Sequence, residues 1–187
     1  SPEWKSNFNS LAKVYREHLK DFEVTIVHVG STAVPGLCAK PVIDIDIVIN
    51  SLAQLKEIIP ILVKLGYEYL GEVAIPSRFV FRPSDLSVPN DGTGRLWQKH
   101  HLYCCLADST ALANHIILRD ALRNDELLAR EYAELKRMLA ANAQNMDEYV
   151  MGKTCFITKI LAAHGMSTEE LLAIEQQNKN VIPALKR

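Results

Sequence analysis

The sequence predicts an α/β (α+β) fold in which a mixed, mostly antiparallel sheet is packed by helices and followed by a C-terminal helical layer. Two apolar segments of strand character, residues 24–29 and 42–49, are joined by a loop rich in glycine and proline. This loop is too short for a full parallel crossover, which favours antiparallel pairing of the two strands. Apolar residues recur at helical spacing through the last third of the chain, which indicates the helical layer.

Two helices are expected to pack against this sheet. Apolar residues recur at helical spacing from the start of the chain to about Leu19, which predicts an amphipathic helix whose aromatic side chains join the core. A second helix is expected over residues 52–65, with Ser51 as its N-terminal cap and Gly66 at its end. Pro60 lies inside this helix and is expected to bend it.

The middle of the chain alternates between strand and turn signals. Residues 67–70 are expected to form a short edge strand, and residues 78–82 a further strand with its two phenylalanines on one face and its two arginines on the other. The polar segment 83–99 contains a strong turn signal at residues 90–94, and it is interpreted either as the tip of a long hairpin or as a mobile loop over a cleft. The return strand is expected at about residues 100–107.

Four helices are expected in the last third. They are predicted from Ser109 or Thr110 to Arg123, over residues 125–142, over residues 147–164, and from a cap at Ser167 onward. No internal repeat, low-complexity run or linker interrupts the chain. At this length, one domain over residues 1–187 is therefore predicted.

Asp44 and Asp46 lie in the middle of the strand predicted over residues 42–49. Because side chains alternate along a strand, both carboxylates face the same way, roughly 7 Å apart at the backbone, while the isoleucines fill the opposite face. Two like charges so close on a half-buried surface repel one another. A divalent cation such as Mg²⁺ would relieve the repulsion, since it prefers carboxylate oxygen and shares its coordination with substrate phosphates. Alternatively, this polar face meets solvent or pairs with arginine and lysine side chains.

The turn before the Asp44 strand has the features of a phosphate site. Gly30 allows close approach of the backbone to a ligand, and Ser31 adds a hydroxyl and a backbone N–H. If the next residues form a helical turn, its free amides would face the two carboxylates. Phosphate on one side and metal on the other indicate a site for a metal-bound nucleotide. The sequence contains neither GxGxxG nor GxxxxGK[ST], which argues against a Rossmann unit and excludes a P-loop.

Further candidate residues lie on the neighbouring predicted strands. Arg78 and Arg82 either belong to a solvated edge or bind phosphate through their guanidinium groups. Alternation places His101 on one face with Tyr103, where it could ligate a metal, act as a base, hydrogen-bond a substrate, or mark a site that no longer performs chemistry. His28, just ahead of the glycine-serine turn, either touches a ligand or has a structural role.

The run HVGSTAVPGLCAKPVIDIDIVI resembles the signature of the GrpB family of bacterial proteins. The runs RFVFR, HHLYCCL, NHIILRDALR, EYAELK and GKTCFITKILAAHG follow in the order which that family shows, so the resemblance covers nearly the whole chain. The resemblance implies a nucleotidyltransferase-like fold, the fold shared by polymerase beta and the aminoglycoside nucleotidyltransferases. The chain departs from that superfamily in having no third carboxylate on another strand, and from its family in having Tyr103 where relatives tend to have a second histidine.

The resemblance implies transfer of a nucleotidyl group from a nucleoside triphosphate to an unknown acceptor, with Mg²⁺ or Mn²⁺. The nearly neutral overall charge favours a small-molecule acceptor over a polynucleotide. Asp44 and Asp46 would hold the metal and would be catalytic together with His101. The residues expected to bind nucleotide or phosphate are Gly30, Ser31, Thr32, Lys40, Arg78 and Arg82. Two alternatives remain open: a catalytically inactive module that binds a nucleotide or a phosphorylated ligand, and a protein that only binds a partner.

The composition of the chain limits which partners and which cellular locations are expected. The formal net charge is −1 and no basic stripe is present, which argues against nucleic acid as the main partner. No apolar run approaches ~18 residues and the first residues lack a signal-peptide pattern, so neither a membrane span nor export is expected. The four cysteines show no CxxC spacing and lie in apolar contexts, as expected for free thiols in a reducing cytoplasm. The oligomeric state is not determined by these patterns.

Overall fold

The computed structural model of the chain describes residues 1, 3–73 and 75–185, with the side chains of these residues except 146 and 179–185. The chain divides into two compact units, Ser1–Leu112 and Ala113–Arg187. The single domain expected over residues 1–187 stays a prediction.

The described part of the chain forms five strands and six α-helices. In chain order they are α1 (Glu3–His18), β1 (Thr25–Val29), β2 (Ile43–Ile49), α2 (Leu52–Lys64), β3 (Tyr67–Glu72), β4 (Arg78–Pro83), β5 (His100–Leu106), α3 (Thr110–Asn124), α4 (Glu126–Asn142), α5 (Met146–Ala163) and α6 (Thr168–Leu185). A single 3₁₀ turn, Ser31–Ala33, follows β1.

The five strands form one mixed sheet in the order β1-β2-β5-β4-β3. Strands β1 and β2 pair antiparallel, as the short loop between them predicts, and β3–β4 and β4–β5 are also antiparallel. Only the central pair, β2–β5, is parallel within this sheet of described residues. Strand β3 lies at the edge, as expected. The predicted fold class, a mixed and mostly antiparallel sheet packed by helices, is confirmed.

One face of the sheet forms the core of the first unit. The four isoleucines of β2 are fully buried there, and they join one apolar cluster with side chains of α1 and α2 such as Leu11, Tyr15, Ile58 and Leu62. Complete burial of a side chain of this size stabilises the fold by about 1.5–3 kcal/mol. Because strand side chains alternate, the same packing directs the two aspartates of β2 to the opposite face.

The connection between β4 and β5 is anchored in the core of the first unit. Val88 and Trp97 are buried in the apolar cluster, and the indole N–H of Trp97 donates to the backbone oxygen of Pro89 at 2.9 Å. The backbone N–H of Asn90 donates to the oxygen of Leu65 at 2.7 Å, just beyond α2. Since β4 and β5 are antiparallel neighbours, the segment is the end of a long hairpin, which is the first of the two interpretations offered by the sequence.

Side-chain caps start several of the described helices, and two of the caps, Ser51 and Ser167, are at positions where the sequence predicts a cap. In the first unit, the Ser51 hydroxyl accepts from the N–H of Gln54 at 3.2 Å. In the second unit, Asp125 caps α4, Asn145 caps α5, and the Ser167 hydroxyl accepts from the N–H of Glu170 ahead of α6. Each such cap satisfies an N–H at the helix start that has no partner within the helix, and is worth about 1 kcal/mol.

The second unit consists of helices. Its apolar cluster is built on Leu161, Met166 and Ile174, and α4 packs on α5 through Tyr132 and Phe156, whose rings stack with centroids 5.3 Å apart. No helix within the described ranges is both long and apolar enough to cross a membrane.

A buried chain of polar side chains connects α1, β3 and β5. The hydroxyl oxygens of Tyr15 and Tyr67 are 2.6 Å apart, the Tyr67 hydroxyl is 2.6 Å from Nε2 of His100, and Nδ1 of His100 is 2.9 Å from the backbone oxygen of Gln98. The oxygen of Gln98 can only accept, so Nδ1 carries a proton and Nε2 accepts from Tyr67, whose oxygen accepts from Tyr15. With His100 neutral, all three contacts are hydrogen bonds and no charge is buried among them. Burial accordingly lowers the pKa of His100 to about 4.

This lowered pKa predicts acid sensitivity. Above pH 6.5 His100 is neutral in both the folded and the unfolded state and contributes its full stability. Between pH 6.5 and 4 His100 binds a proton in the unfolded chain but stays neutral in the folded chain. The free energy of unfolding of the wild type is expected to fall across this window by about 3 kcal/mol relative to that of His100→Gln. Urea unfolding at a series of pH values measures the difference, with His18→Gln on the exposed surface of α1 as the control. Parallel pH profiles for the wild type and His100→Gln would contradict this assignment.

Candidate functional site

A polar face lies opposite the isoleucine core of the sheet. In the parallel pair β2–β5, Asp44 is opposite His101 and Asp46 is opposite Tyr103, and in the next pair Arg78 of β4 is opposite Cys105 of β5. Strand alternation directs all of these side chains to the same face. We call this set the polar face; its members are Asp44, Asp46, Arg78, His101, Tyr103 and Cys105.

Asp44 and His101 form a hydrogen-bonded pair on this face. Nδ1 of His101 lies 2.9 Å from Oδ1 of Asp44, and the side chains are 52% and 31% exposed, so both reach solvent. A carboxylate only accepts hydrogen bonds, so Nδ1 donates the proton. Nε2 of His101 is then the ring nitrogen that remains for another group. The contact exists because parallel pairing sets the two residues directly opposite one another.

Asp46 lies deeper on the same face and is 0% exposed. The thiol of Cys105 hydrogen-bonds to it, and burial together with the Asp46 carboxylate raises the pKa values of the Cys104 and Cys105 thiols. Burial also raises the pKa of Tyr103 to about 12, with Arg78 opposing this effect and the two aspartates adding to it. Thus Tyr103 and both thiols stay protonated near neutral pH.

Gly30 is where the β1 turn meets the carboxylate of Asp44. Its φ is +70°, and a Cβ added to it would lie 2.3 Å from Oδ2 of Asp44, much closer than real contacts allow. Glycine is therefore needed for two reasons: the left-handed backbone and the space that the carboxylate fills. The 3₁₀ turn that begins at Ser31 follows directly, with the N–H of Ala33 donating to the oxygen of Gly30. The sequence-based expectation that the free amides of this turn face the two carboxylates stays a prediction.

His28 and Thr32 face the core instead. His28 is buried, its ring stacks on Phe8 with centroids 4.6 Å apart, and its Nε2 lies 3.0 Å from the hydroxyl oxygen of Thr32. Of the two roles offered for His28, contact with a ligand or a structural role, this geometry corresponds to the structural one. The Thr32 hydroxyl is hydrogen-bonded to His28, so a contact of Thr32 with phosphate stays a prediction.

The remaining predicted phosphate-binding residues occupy three different settings. Arg78 is half-buried on the polar face, with its guanidinium carbon 4.6 Å from the centre of the Tyr103 ring. Arg82 lies on the same face of the sheet, farther along β4, and pairs with Glu68 of the edge strand β3 at 2.7 Å. Lys40 is exposed in the segment before β2. The structure therefore brings Gly30 and Arg78 onto or beside the polar face, and it pairs Arg82 with a carboxylate at the edge of the sheet.

Tyr103 is the residue that sequence reasoning did not count as part of the site. Alternation already placed it on the face with His101, and that was the available signal. Its contact with Arg78 depends on the register of β4 against β5, which the expected hairpin leaves open.

The two aspartates supply hard carboxylate oxygens, the donors that Mg²⁺ or Mn²⁺ prefers. Within residues 1, 3–73 and 75–185, no three His, Cys, Asp or Glu side chains are grouped so that they could hold a metal ion. Mg²⁺ is usually held by one or two carboxylates, with waters and substrate phosphates completing its shell. The pair therefore fits a cation that arrives together with phosphate and does not by itself form a complete metal centre.

Fold and site together define an α/β protein with a paired-carboxylate face next to a glycine-serine turn. The chain belongs to the GrpB family: the family profile, described as GrpB protein, matches residues 1–163. Helix α6 lies beyond the matched residues.

Individual relatives agree with this assignment. The chain is 31% identical over 131 residues to the UPF0157 protein YqkA of Bacillus subtilis, which covers 70% of this chain and 35% of that protein. It is 34% identical over 161 residues to the UPF0157 protein PA4798 of Pseudomonas aeruginosa, which covers 86% of this chain and 63% of that protein. The chain thus spans less than two thirds of the length of either relative.

A solved structure also matches. The crystal structure of the conserved protein GrpB from Enterococcus faecalis aligns with a TM-score of 0.69 and 28% identity, over 94% of this chain and 95% of that one. Structures of the Cid1 poly(U) polymerase align more distantly, for example a MgGTP-bound form with a TM-score of 0.48 and 18% identity over 74% of this chain and 45% of that one. A likeness at that level supports no conclusion about activity.

The contact between Gly30 and Asp44 predicts unequal costs for two similar substitutions. Gly36 has φ +77° and nothing within 4 Å of an added Cβ, so Gly36→Ala is expected to cost only the left-handed backbone, about 1–2 kcal/mol. Gly30→Ala is expected to cost more, because its φ of +70° and ψ of −172° lie in a region that essentially only glycine adopts, at about 1–3 kcal/mol, and because the Asp44 carboxylate must also move, which adds roughly 1–3 kcal/mol. Urea unfolding of both variants measures the difference, and equal losses would show that the carboxylate does not pack on Gly30.

Proposed function

We propose that this protein transfers a nucleotidyl group from a nucleoside triphosphate to the hydroxyl of a small molecule, with Mg²⁺ or Mn²⁺ bound together with the nucleotide. The observation that supports this best is the pairing of Asp44 with His101 on one face with Asp46, directly beside Gly30. Paired carboxylates next to a glycine-serine turn suit a metal-bound triphosphate, and a histidine hydrogen-bonded to one of them suits proton removal from an acceptor.

The residues around the turn would bind the triphosphate. Gly30 presents backbone without a side chain, and Ser31 offers a hydroxyl, so phosphate oxygens can approach closely. Arg78 carries a positive charge on the same face as the aspartates and would balance charge on the departing pyrophosphate. Lys40 and Arg82, both exposed, are proposed as outer contacts to the phosphates, and for Arg82 this requires release of its surface pair with Glu68.

Asp44 and Asp46 would hold the cation, which when bound supplies Lewis-acid polarisation of the α-phosphate. Beyond holding the cation, Asp44 accepts a hydrogen bond from Nδ1–H of His101 and so leaves Nε2 as the basic nitrogen of the ring. Nε2 of His101 would take the proton of the acceptor hydroxyl as the new O–P bond forms and the bond to pyrophosphate breaks. In this scheme His101 replaces the third carboxylate that the superfamily usually has.

The formal net charge of −1 supports a small acceptor over a polynucleotide, because nucleic-acid binding depends on concentrated positive charge. A cytoplasmic location stays a prediction from the sequence.

A second candidate function is binding without transfer. The observation that favours it is the complete burial of Asp46, which leaves Asp44 as the carboxylate of the pair that reaches solvent. On this view the face retains a nucleotide or another phosphorylated ligand but has no group that completes the reaction. The two candidates differ in whether nucleotide is consumed.

The role of Asp44 predicts a metal-dependent ligand response. A nucleoside triphosphate at 100 times its dissociation constant adds about 2.7 kcal/mol, which raises the melting temperature of a chain this size by roughly 5–10 °C. This shift is expected with Mg²⁺ or Mn²⁺ present and is expected to disappear in Asp44→Asn, because the amide loses the charge that holds the cation. Asp108→Asn, an exposed aspartate beyond β5, is the matched control. A shift of full size in Asp44→Asn would rule out the metal role of Asp44.

The role of His101 predicts a separation of binding from turnover. In His101→Asn, nucleotide affinity is expected to stay within a few-fold of the wild type, while pyrophosphate release falls roughly 10²–10⁴-fold, the usual contribution of a general base. Release of pyrophosphate from α-labelled triphosphates, with a mixture of small hydroxyl compounds as acceptors, measures turnover. Equal release by the wild type and His101→Asn would show that His101 is not the base, and saturable binding with no release by either protein would favour the binding module.

A further inference from the structure

Arg78 and Tyr103 form a stacked pair on the polar face. The guanidinium carbon of Arg78 lies 4.6 Å from the centre of the Tyr103 ring, within the range in which a cation is attracted to the face of an aromatic ring. Both side chains are partly buried, so water screens this attraction less than at an open surface. The stack therefore fixes the position of a positive charge beside the two aspartates.

Arg78 keeps hydrogen-bonding capacity in this position. Its Nε is buried and donates to no atom of the described residues, and none of the ion pairs found among those residues includes it. Arg82, two residues along the same strand, behaves differently because it donates from both Nε and Nη2 to Glu68. A buried donor with no acceptor is costly, so the setting of Arg78 suits an anionic ligand that supplies the acceptor.

Tyr103 lies on β5, the strand between Arg78 of β4 and the buried carboxylate of Asp46 on β2. It is directly opposite Asp46 of β2 on one side and Val80 of β4 on the other. Arg78 lies two residues before Val80 on β4, so its side chain is on the same face. Strands β2 and β4 are about 10 Å apart, a gap that an arginine largely spans. Without the ring, the guanidinium would be free to reach Asp46 and pair with it.

We propose that Tyr103 is a positioning residue that holds Arg78 away from Asp46, so that the guanidinium is available to a phosphate oxyanion of the ligand. The proposal rests on the proposed function, because it assigns one phosphate contact of that same site. The same ring also keeps Arg78 from forming an ion pair with Asp46. In Tyr103→Phe the aromatic ring remains and should still hold Arg78 in place, whereas Tyr103→Leu removes the ring.

The test compares Tyr103→Phe and Tyr103→Leu, with Tyr69→Leu as the control, since Tyr69 is a half-buried tyrosine of β3 packed on Phe81. Tyr103→Met, whose unbranched side chain has about the volume of leucine but adapts more easily to the space left by the ring, replaces the leucine variant if that variant does not fold. The first readout needs no ligand: the NMR resonance of the Arg78 Nε–H, which the ring shifts upfield while the two are stacked. The second is affinity for inorganic pyrophosphate and for ATP with Mg²⁺, followed by calorimetry.

We expect the upfield Arg78 resonance in the wild type, Tyr103→Phe and Tyr69→Leu, and its loss in Tyr103→Leu. Affinity for both probes should fall roughly tenfold or more in Tyr103→Leu and stay near that of the wild type in Tyr103→Phe, as expected for loss of one charge-assisted contact. An unchanged resonance in Tyr103→Leu, or equal losses of affinity in the phenylalanine and leucine variants, would overturn the proposal. If the wild type binds neither probe, the proposed function fails and the phosphate contact with it, while the resonance still decides whether Tyr103 positions Arg78.

Discussion

The candidate site depends on the close approach of the Asp44 carboxylate to Gly30, where it occupies the space that a Cβ would need. Residue 30 has room for this carboxylate only because it carries no Cβ, and its left-handed backbone starts the 3₁₀ turn that follows. The same carboxylate accepts a hydrogen bond from Nδ1–H of His101 on the neighbouring parallel strand. Asp44 thus connects the turn after β1, the centre of β2 and the start of β5, and the chemistry proposed for this face requires all three.

The opposite face of the sheet gives the site its rigidity. The isoleucines that alternate with the aspartates of β2 are fully buried against α1 and α2, so a shift of one residue in strand register would place charge in the core. The neutral chain from Tyr15 through Tyr67 to His100 fixes the beginning of β5 one residue before His101. The position of the histidine opposite Asp44 is therefore set by packing and hydrogen bonds on the other side of the sheet.

Local patterns were enough to predict much of this protein. Alternation along residues 42–49 put Asp44 and Asp46 on one face, the short connection predicted antiparallel β1 and β2, and the signature run predicted the family. What the patterns could not specify depends on contacts between distant segments. The parallel pairing of β2 with β5 sets His101 opposite Asp44, and the register of β4 against β5 brings Arg78 over Tyr103. His28 is hydrogen-bonded to Thr32, a residue that the sequence places in the phosphate-binding loop. Only the stacking on Phe8 shows that the histidine ring faces the core.

The central claim is that the paired aspartates receive a divalent cation together with a nucleotide and not alone. Paramagnetic broadening by Mn²⁺ tests it most directly, with backbone amide resonances recorded with and without ATP. We predict that Mn²⁺ with ATP broadens the amides around Gly30, Asp44 and His101 and leaves those of the exposed turn at Gly92 sharp, while Mn²⁺ alone broadens neither group at the same concentration. Broadening of the first group by Mn²⁺ alone, or no broadening there with ATP present, would contradict the account.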